Sequence, residues 1–279
     1  MSSESQIIKK AREVSAPIAE EKPKVLSIHG HERIDPYYWM NERENPKVLS
    51  YLEAENEYTD LLLKHTKELQ GELFTEITSR IPGKEASAPY FKNDFFYYYR
   101  YEEGKEYPVY CRKKDMNSSE QVMLDVNILA KGHDYYQIGG LSISPDNRLL
   151  IFGEDTVSRR QYTLRLIDLE TGINTELGIK NTTGSVAWAN DSETFFYTLK
   201  DDNLRPSKIL RHSLGTNIKD DALIFEESDE TFITYTHRSS SGDFIIISSF
   251  QTVSTEYQLI PTSDPMSSPV LFQKRERNH

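Results

Sequence analysis

The sequence predicts a mainly β fold, a β-propeller preceded by an N-terminal segment with two α-helices. Three observations predict the propeller. Turn residues followed by an apolar run recur along the second two thirds of the chain, further short strands follow each turn at nearly constant offsets, and no helical pattern separates the strands. Four antiparallel strands in a unit of about 45–50 residues are typical of a propeller blade. A parallel sheet is disfavoured because the helices that would connect its strands are missing.

An aspartate marks the turn of each repeat. Asp94, Asp146, Asp191 and Asp243 are 52, 45 and 52 residues apart, and Asn, Pro or Gly stands beside each one, as tight hairpins require. The later strands of the four units are Tyr107–Cys111, Tyr162–Leu166, Lys208–His212 and Tyr257–Ile260, then Val122–Leu124, Thr175–Leu177, Leu223–Phe225 and Val270–Phe272. The pattern predicts about four blades over residues 85–279. Spacing alone leaves open whether these blades make a small propeller or part of a larger one.

The N-terminal segment, residues 1–84, lacks the strand pattern of the later residues and shows polar and helical patterns instead. Residues 1–24 are polar and are predicted to be a loose arm. The region from Pro46 to Arg80 is predicted to form two helices, with Asn45 as the cap of the first. The second helix carries an apolar residue at every fourth position, and the sequence predicts that this stripe packs: Leu69, Leu73, Ile77 and Ile81.

Composition and charge exclude several classes of function. A formal net charge of −11 argues against nucleic acid, since phosphates are bound by clusters of Lys and Arg. No apolar run reaches the roughly 18 residues of a membrane helix, and the N-terminus lacks the apolar core of a secretory signal. The single cysteine, Cys111, has no partner for an internal disulfide. We therefore expect a cytoplasmic protein that has no contact with membranes.

The common catalytic motifs are missing from the sequence. There is no Gly-x-Ser-x-Gly nucleophile turn, phosphate loop, His-Glu-x-x-His or paired-cysteine metal site. We therefore predict no catalytic residue, no metal and no cofactor in this chain. The pair His29 and His31 is interpreted as a polar loop feature, and Cys111 as a buried thiol. The isolated histidines are interpreted as hydrogen-bonded residues without catalytic roles: His133, His212 and His237.

Two charged hairpins are the candidate contact sites. The first, in the second blade, contains Glu154, Asp155, Arg159 and Arg160, and adjacent arginines can bind carboxylates through paired hydrogen bonds. We predict these four residues to contact substrate or another domain, because loops on a rigid scaffold often carry function. The segment from Lys200 to Pro206 in the third blade is a similar candidate. Solvated hairpins are the alternative interpretation of both.

Several segments resemble the prolyl oligopeptidase family. The first two resemble the N-terminal lead-in of that family, and the other four are closer to its oligopeptidase B branch. Together the likeness covers about residues 25–277, with the motifs in the expected order. The segments are His29–Pro46, Tyr51–Asn56, Arg100–Tyr110, Asp125–His133, Ser144–Leu169 and Ala187–Tyr197.

The resemblance implies a seven-bladed propeller and a C-terminal α/β-hydrolase domain that carries a Ser-Asp-His triad. It also implies short peptide substrates, which the oligopeptidase B branch cleaves after Lys or Arg, with the propeller restricting entry. No position of this chain matches the triad, so no catalytic residue is carried over. We expect three blades and the hydrolase domain to be absent from these 279 residues. The resemblance also implies that the lead-in helices pack beside that domain, so that their apolar stripes would lack their partner in this chain.

Two alternatives remain at this point. One is a stand-alone propeller that acts as a protein-binding module. The other is a prolyl oligopeptidase that cleaves after proline, because the pocket that selects the substrate side chain belongs to the missing domain.

Overall fold

The computed structural model describes residues 6–276. The chain divides into two compact units, Met1–Pro82 and Gly83–His279. No helix between residues 6 and 276 is both long and apolar enough to cross a membrane.

Between residues 6 and 82, the first unit contains three α-helices and one hairpin. Both predicted helices are confirmed. The prediction of a loose arm over residues 1–24 is wrong for Gln6–Glu13, which form a short helix that lies against the next helix. The sequence places Ile8 and Ala11 one turn apart there, the spacing of one helical face. Residues 14–23 form neither helix nor strand, and residues 1–5 of the predicted arm lie outside the described residues. The elements are α1 (Gln6–Glu13), β1 (Lys24–Ile28), β2 (His31–Asp35), a 3₁₀ turn (Tyr38–Asn41), α2 (Pro46–Leu63), a 3₁₀ turn (Lys64–Thr66) and α3 (Lys67–Ser79).

Local chemistry sets the boundaries of these elements. His29 and Gly30 have φ values of 53° and 78°, the left-handed conformations of a two-residue hairpin turn. The predicted polar loop around these histidines is therefore the tight turn between β1 and β2. Asn45 caps α2 as predicted, since its side-chain oxygen accepts a hydrogen bond of 3.0 Å from the Lys47 amide.

The apolar stripe of α3 lies at the surface. Its side chains are 46–70% exposed in the part of the chain that the structure describes: Leu69, Leu73, Phe74, Ile77 and Ile81. Within residues 6–276 the packing predicted from the pattern alone is therefore not formed, and the stripe is exposed, as the resemblance implies.

The second unit consists of four antiparallel sheets in chain order. They are the four predicted blades, and a short helix follows the first of them. Blade 1 is β3 (Glu85–Ala86), β4 (Tyr90–Lys92), β5 (Phe95–Tyr101), β6 (Val109–Lys113) and β7 (Gln121–Asp125), followed by α4 (Val126–Leu129). Blade 2 is β8 (Gln137–Ile143), β9 (Leu149–Asp155), β10 (Thr163–Asp168) and β11 (Asn174–Glu176). Blade 3 is β12 (Thr182–Trp188), β13 (Thr194–Lys200), β14 (Pro206–Ser213) and β15 (Ala222–Glu226). Blade 4 is β16 (Ile233–Arg238), β17 (Phe244–Gln251), β18 (Ser254–Pro261) and β19 (Val270–Gln273).

The aspartate turns stand where the sequence predicts them, between the first and second strands of each blade. Asp191, for example, accepts hydrogen bonds from the amides of Glu193 and Thr194 at 3.0 and 2.8 Å. Blade 1 departs from the pattern because its first strand is split into β3 and β4, which both pair with β5. Pro89 lies between the two pieces and has no amide hydrogen to continue the ladder.

Successive blades bury both faces of their central strands. Leu150 and Phe152 of β9 pack toward blade 1, whereas Ile151 between them packs toward blade 3. Phe195 and Phe196 of β13 divide in the same way between blades 2 and 4. This arrangement explains why the second strands are continuous apolar runs, since a strand buried on both faces has no polar alternation.

The interface between blades 3 and 4 generates a stability prediction. Phe196 is fully buried, whereas Phe272 is 71% exposed. We expect Phe196→Ala to lower the free energy of unfolding by about 3–5 kcal/mol, because it leaves a cavity in a close-packed core. Phe272→Ala should cost well under about 1 kcal/mol. Urea unfolding of both variants measures this difference, and equal losses would contradict the packing described.

Candidate functional site

The candidate hairpins lie on one side of the propeller. The strands of each blade are antiparallel, so the turn between the second and third strands lies at the end opposite to the aspartate turn. These turns of the successive blades share one side of the propeller. We call this side the loop face. It is formed by residues 102–108, 156–162, 201–205 and 252–253.

Asp155 shapes the hairpin of blade 2 from inside. It is 1% exposed, and its two carboxylate oxygens accept hydrogen bonds from the amides of Val157 at 2.9 Å and Arg160 at 2.6 Å. Glu154 is also held within the chain, by the hydroxyl of Tyr136 at 2.7 Å and the guanidinium of Arg165 at 2.9 Å. Both predicted carboxylates therefore have partners inside the protein.

Arg159 and Arg160 point outward from the same hairpin. Both are exposed, and the backbone turns through positive φ at Ser158 (60°) and Arg160 (54°). The structure therefore separates the four predicted residues into an inward carboxylate pair and an outward arginine pair. Their predicted contact with substrate or another domain remains a prediction.

Lys200, at the end of β13 in blade 3, lies next to this hairpin. Its ammonium donates a hydrogen bond to the carbonyl of Arg160. Asn181 completes the link, since its side chain accepts from Gln161 at 3.1 Å and donates to the carbonyl of Lys200 at 2.9 Å. The candidate hairpins of blades 2 and 3 are thereby connected.

The three cations Arg159, Arg160 and Lys200 form a basic cluster. Burial, followed by the charge of Arg160, lowers the pKa of Lys200, and the nearby Asp155 charge only partly offsets this effect. Among residues 6–276, no carboxylate lies within ion-pair distance of any of the three. The basic cluster is therefore suited to an anionic group supplied by another molecule or domain.

The remainder of the blade 3 hairpin is tied down by Arg205. Its guanidinium donates to Asp201 at 2.9 Å and to the carbonyl of Phe232 at 2.9 Å. Asp201 also accepts from the amides of Asn203 and Arg205, at 3.0 and 2.9 Å. In this segment Lys200 therefore contributes to the basic cluster, and Asp201 and Arg205 maintain the turn.

A buried ion-pair network between blades 3 and 4 was not predicted from the sequence. Glu227, 3% exposed, accepts from the Arg275 guanidinium at 2.6 Å and from the hydroxyl of Ser249. Burial raises the pKa of Glu227, but the hydrogen bonds from Arg275 and Ser249 outweigh burial and hold that pKa below its usual value. Arg275 also reaches Glu256 at 3.3 Å. Nothing local marks this network, because its bonded partners are 19 to 48 residues apart.

Of the three isolated histidines, His212 has the hydrogen-bonded surroundings that the sequence predicts. His212 Nδ1 lies 2.6 Å from Asp221, which also accepts from the Tyr197 hydroxyl at 2.8 Å, and both members of the His–Asp pair are buried. His133 packs against the ring of Tyr136, and burial lowers the pKa of His237. Within residues 6–276 there is no group of three or more His, Cys, Asp or Glu able to hold a metal ion.

The thiol of Cys111 is buried, as the sequence predicts. It is 0% exposed, and burial, reinforced by the charge of Glu120, raises its pKa to about 12. We expect no reaction of the native protein with a thiol-specific disulfide reagent at about pH 8, because the reactive thiolate is absent and inaccessible. One equivalent should react after unfolding in urea, and none in a Cys111→Ser control. Rapid labelling of the native chain would contradict this placement.

The lowered pKa of Glu227 predicts a pH-dependent contribution to stability. The ionised form is favoured in the folded state, so the stabilisation is present above the ordinary value of 4.5 and is lost as the pH falls through the native pKa. We expect Glu227→Gln to lower the free energy of unfolding by about 3 kcal/mol at pH 7. The difference from wild type should shrink as the pH falls from 4.5 through the lowered native pKa of Glu227.

Urea unfolding at several pH values measures this effect. Glu226→Gln is the matched control, because Glu226 pairs with Lys208 at the surface and should change stability by less than about 1 kcal/mol. A difference at Glu227 that is independent of pH would contradict the assignment.

Comparisons with known proteins agree with this architecture. The model of the prolyl oligopeptidase N-terminal β-propeller domain matches residues 17–279. Dipeptidyl aminopeptidase BI from Pseudoxanthomonas mexicana is 40% identical over 96% of this chain and 40% of its own length. Protease 2 from Moraxella lacunata is 34% identical over 93% of this chain and 39% of its own length.

A solved structure gives the same result. Oligopeptidase B from Leishmania major superposes with a TM-score of 0.86 and 26% identity over 94% of this chain and 40% of its own length. This chain thus spans about 40% of the length of the relatives it matches. The chain belongs to the prolyl oligopeptidase family, a family of serine peptidases, and corresponds to the N-terminal propeller part of its members.

Proposed function

We propose that this chain is the propeller portion of an oligopeptidase B-like serine peptidase that hydrolyses short peptides after Lys or Arg. The observation that carries the proposal is the similarity to two solved oligopeptidases B, with TM-scores of 0.86 and 0.84, each at 26% identity over 94% of this chain. In this proposal the propeller restricts access by substrate size, and the hydrolysis is performed by residues outside these 279.

The surroundings of the histidines support a non-catalytic role. A serine nucleophile needs a histidine within hydrogen-bond reach to take its proton, and the pair must face the substrate. The His212–Asp221 pair has the spacing of a catalytic dyad. However, His212 is 3% exposed and packs against the ring of Phe195, so no peptide can reach it.

The basic cluster is the part of the loop face that we propose to contact substrate or the hydrolase domain. Arg159 and Arg160 are exposed on a hairpin that Asp155 and Lys200 hold in place. Preorganised cations lose little conformational entropy on binding. Their ligand in this proposal is a carboxylate, either of the hydrolase domain or of the peptide.

A second candidate activity is removal of dipeptides from the N-terminus of a peptide. The observation in its favour is the 40% identity to a protein named dipeptidyl aminopeptidase BI. The two activities differ in what they require of the substrate. A dipeptidyl aminopeptidase needs a substrate with a free N-terminal amino group two residues before the cleaved bond. An endopeptidase also accepts a substrate whose N-terminus is blocked.

The test compares the 279-residue chain with the gene product read to its stop codon. We expect the longer protein to cleave an N-acetylated arginyl amide, to be inhibited by a serine-directed reagent, and to leave the matching prolyl amide intact. Cleavage only of the dipeptidyl amide with a free N-terminus would support the second candidate. Turnover by the 279-residue chain itself would overturn the non-catalytic role, and a stop after His279 would favour a stand-alone binding module.

The basic cluster is tested by Arg160→Gln in the same active protein. We expect a loss of about tenfold in kcat/KM, the size of one lost charged contact. Arg148→Gln is the control, because Arg148 is exposed but lies in a turn on the opposite side of blade 2 and pairs with Asp168. Equal activity of Arg160→Gln and wild type would remove the proposed role of the cluster.

A further inference from the structure

Four glycines meet where blades 2 and 3 pack together. Gly139 and Gly140 lie in β8, Gly153 in β9 and Gly184 in β12. A Cβ on Gly153 would stand 2.5 Å from the Cα of Gly184, and a Cβ on Gly140 would stand 2.5 Å from the carbonyl oxygen of Gly184. The two backbones therefore approach more closely than any other residue type permits.

This contact forms a seat for the ring of Tyr162. A Cβ on Gly139 would come within 2.6 Å of that ring, and a Cβ on Gly184 would lie 3.0 Å from its Cγ. A Cβ on Gly153 would lie only 2.8 Å from the Cβ of Tyr162. Tyr162 is 8% exposed in this seat. We refer to Gly139, Gly153 and Gly184 as the glycine seat.

Hydrogen bonds attach Tyr162 to blade 3, although its neighbours in the chain belong to blade 2. Its amide donates to the carbonyl of Thr182 at 3.2 Å, and its carbonyl accepts from the Thr182 amide at 3.0 Å. The Thr182 hydroxyl donates to the same carbonyl at 3.0 Å and accepts from the amide of Gly184 at 3.0 Å. Tyr162 therefore joins the two blades.

The seat lies directly below the basic cluster. Tyr162 lies at the end of the hairpin, three positions after Arg159 and two after Arg160. The ammonium of Lys200 lies over the ring of Tyr162 at 5.8 Å and donates to the carbonyl of Arg160. A displaced ring would consequently move both the base of the hairpin and the support of Lys200.

We propose that Tyr162 is a positioning residue and that the glycine seat, by clamping its ring, holds Arg159 and Arg160 at a defined place on the loop face. The use assigned to those arginines rests on the proposed function above, but the clamping does not. The aromatic ring is the part that matters, because it fills the seat and faces Lys200.

Limited proteolysis of the 279-residue chain tests the clamp without any enzyme activity. Trypsin cleaves after Arg159 and Arg160, and local opening sets its rate at folded sites. We expect Tyr162→Leu and Gly153→Ala to accelerate cleavage there by about tenfold. Tyr162→Phe, which keeps the ring, should cleave like wild type.

Two controls separate clamping from general destabilisation. Cleavage after Lys114, in the turn between β6 and β7 of blade 1, should be unchanged in every variant. Gly71→Ala adds a methyl group where nothing lies within 4 Å and should leave the hairpin protected. Unchanged cleavage after Arg159 and Arg160 in folded Tyr162→Leu, or a parallel rise at Lys114, would overturn the proposal.

The functional consequence is tested in the longer, active protein. We expect Tyr162→Leu to lower kcat/KM about as much as Arg160→Gln, and to add nothing further when the two are combined, because both act through one contact. Additive losses would overturn the positioning role. If Tyr162→Leu accelerates proteolysis but Arg160→Gln leaves activity unchanged, the clamping by the glycine seat is supported. The proposed contact of the arginines with substrate or the hydrolase domain is then rejected.

Discussion

The close packing of each blade against the next is the constraint on which the second unit depends. Alternate side chains of a central strand enter different cores, so that Ile151 packs toward blade 3 while Leu150 and Phe152 pack toward blade 1. The strands of one blade form a hydrogen-bonded sheet among themselves, and the free energy of burying apolar side chains is gained between sheets. A blade is therefore stable only when neighbouring blades cover its apolar faces, and the position of one blade determines the position of the next.

The same packing places the candidate contact residues. Polar contacts between blades hold the candidate hairpins in place. Lys200 from blade 3 supports Arg160 from blade 2, and Tyr162 occupies a space that exists only because glycine backbones from two blades approach each other. The basic cluster thereby combines an exposed, charged surface with a rigid foundation, which is the arrangement that favours recognition by a loop.

Local patterns predicted much of this architecture. The aspartate turns, the cap at Asn45 and the buried thiol of Cys111 follow from nearby residues, and all are present in the structure. Helix α1 was missed because polar residues mask its short apolar face. The Glu227–Arg275 pair was missed for a different reason. An ion pair between residues 48 positions apart leaves no mark in the local sequence, since either residue alone resembles an ordinary surface charge.

The sequence by itself determined that the chain forms a propeller with a helical lead-in, because periodicity and turn chemistry act over a few residues and are written in order along the chain. It also identified the hairpin that carries Arg159 and Arg160. Only the tertiary structure decided which side chains of that hairpin face outward. Asp155 turns inward to bond its own loop, whereas Arg159 and Arg160 remain exposed. Blade 3 brings a third cation, Lys200, to their side. Charges that meet through the packing of separate blades cannot be paired from spacing alone.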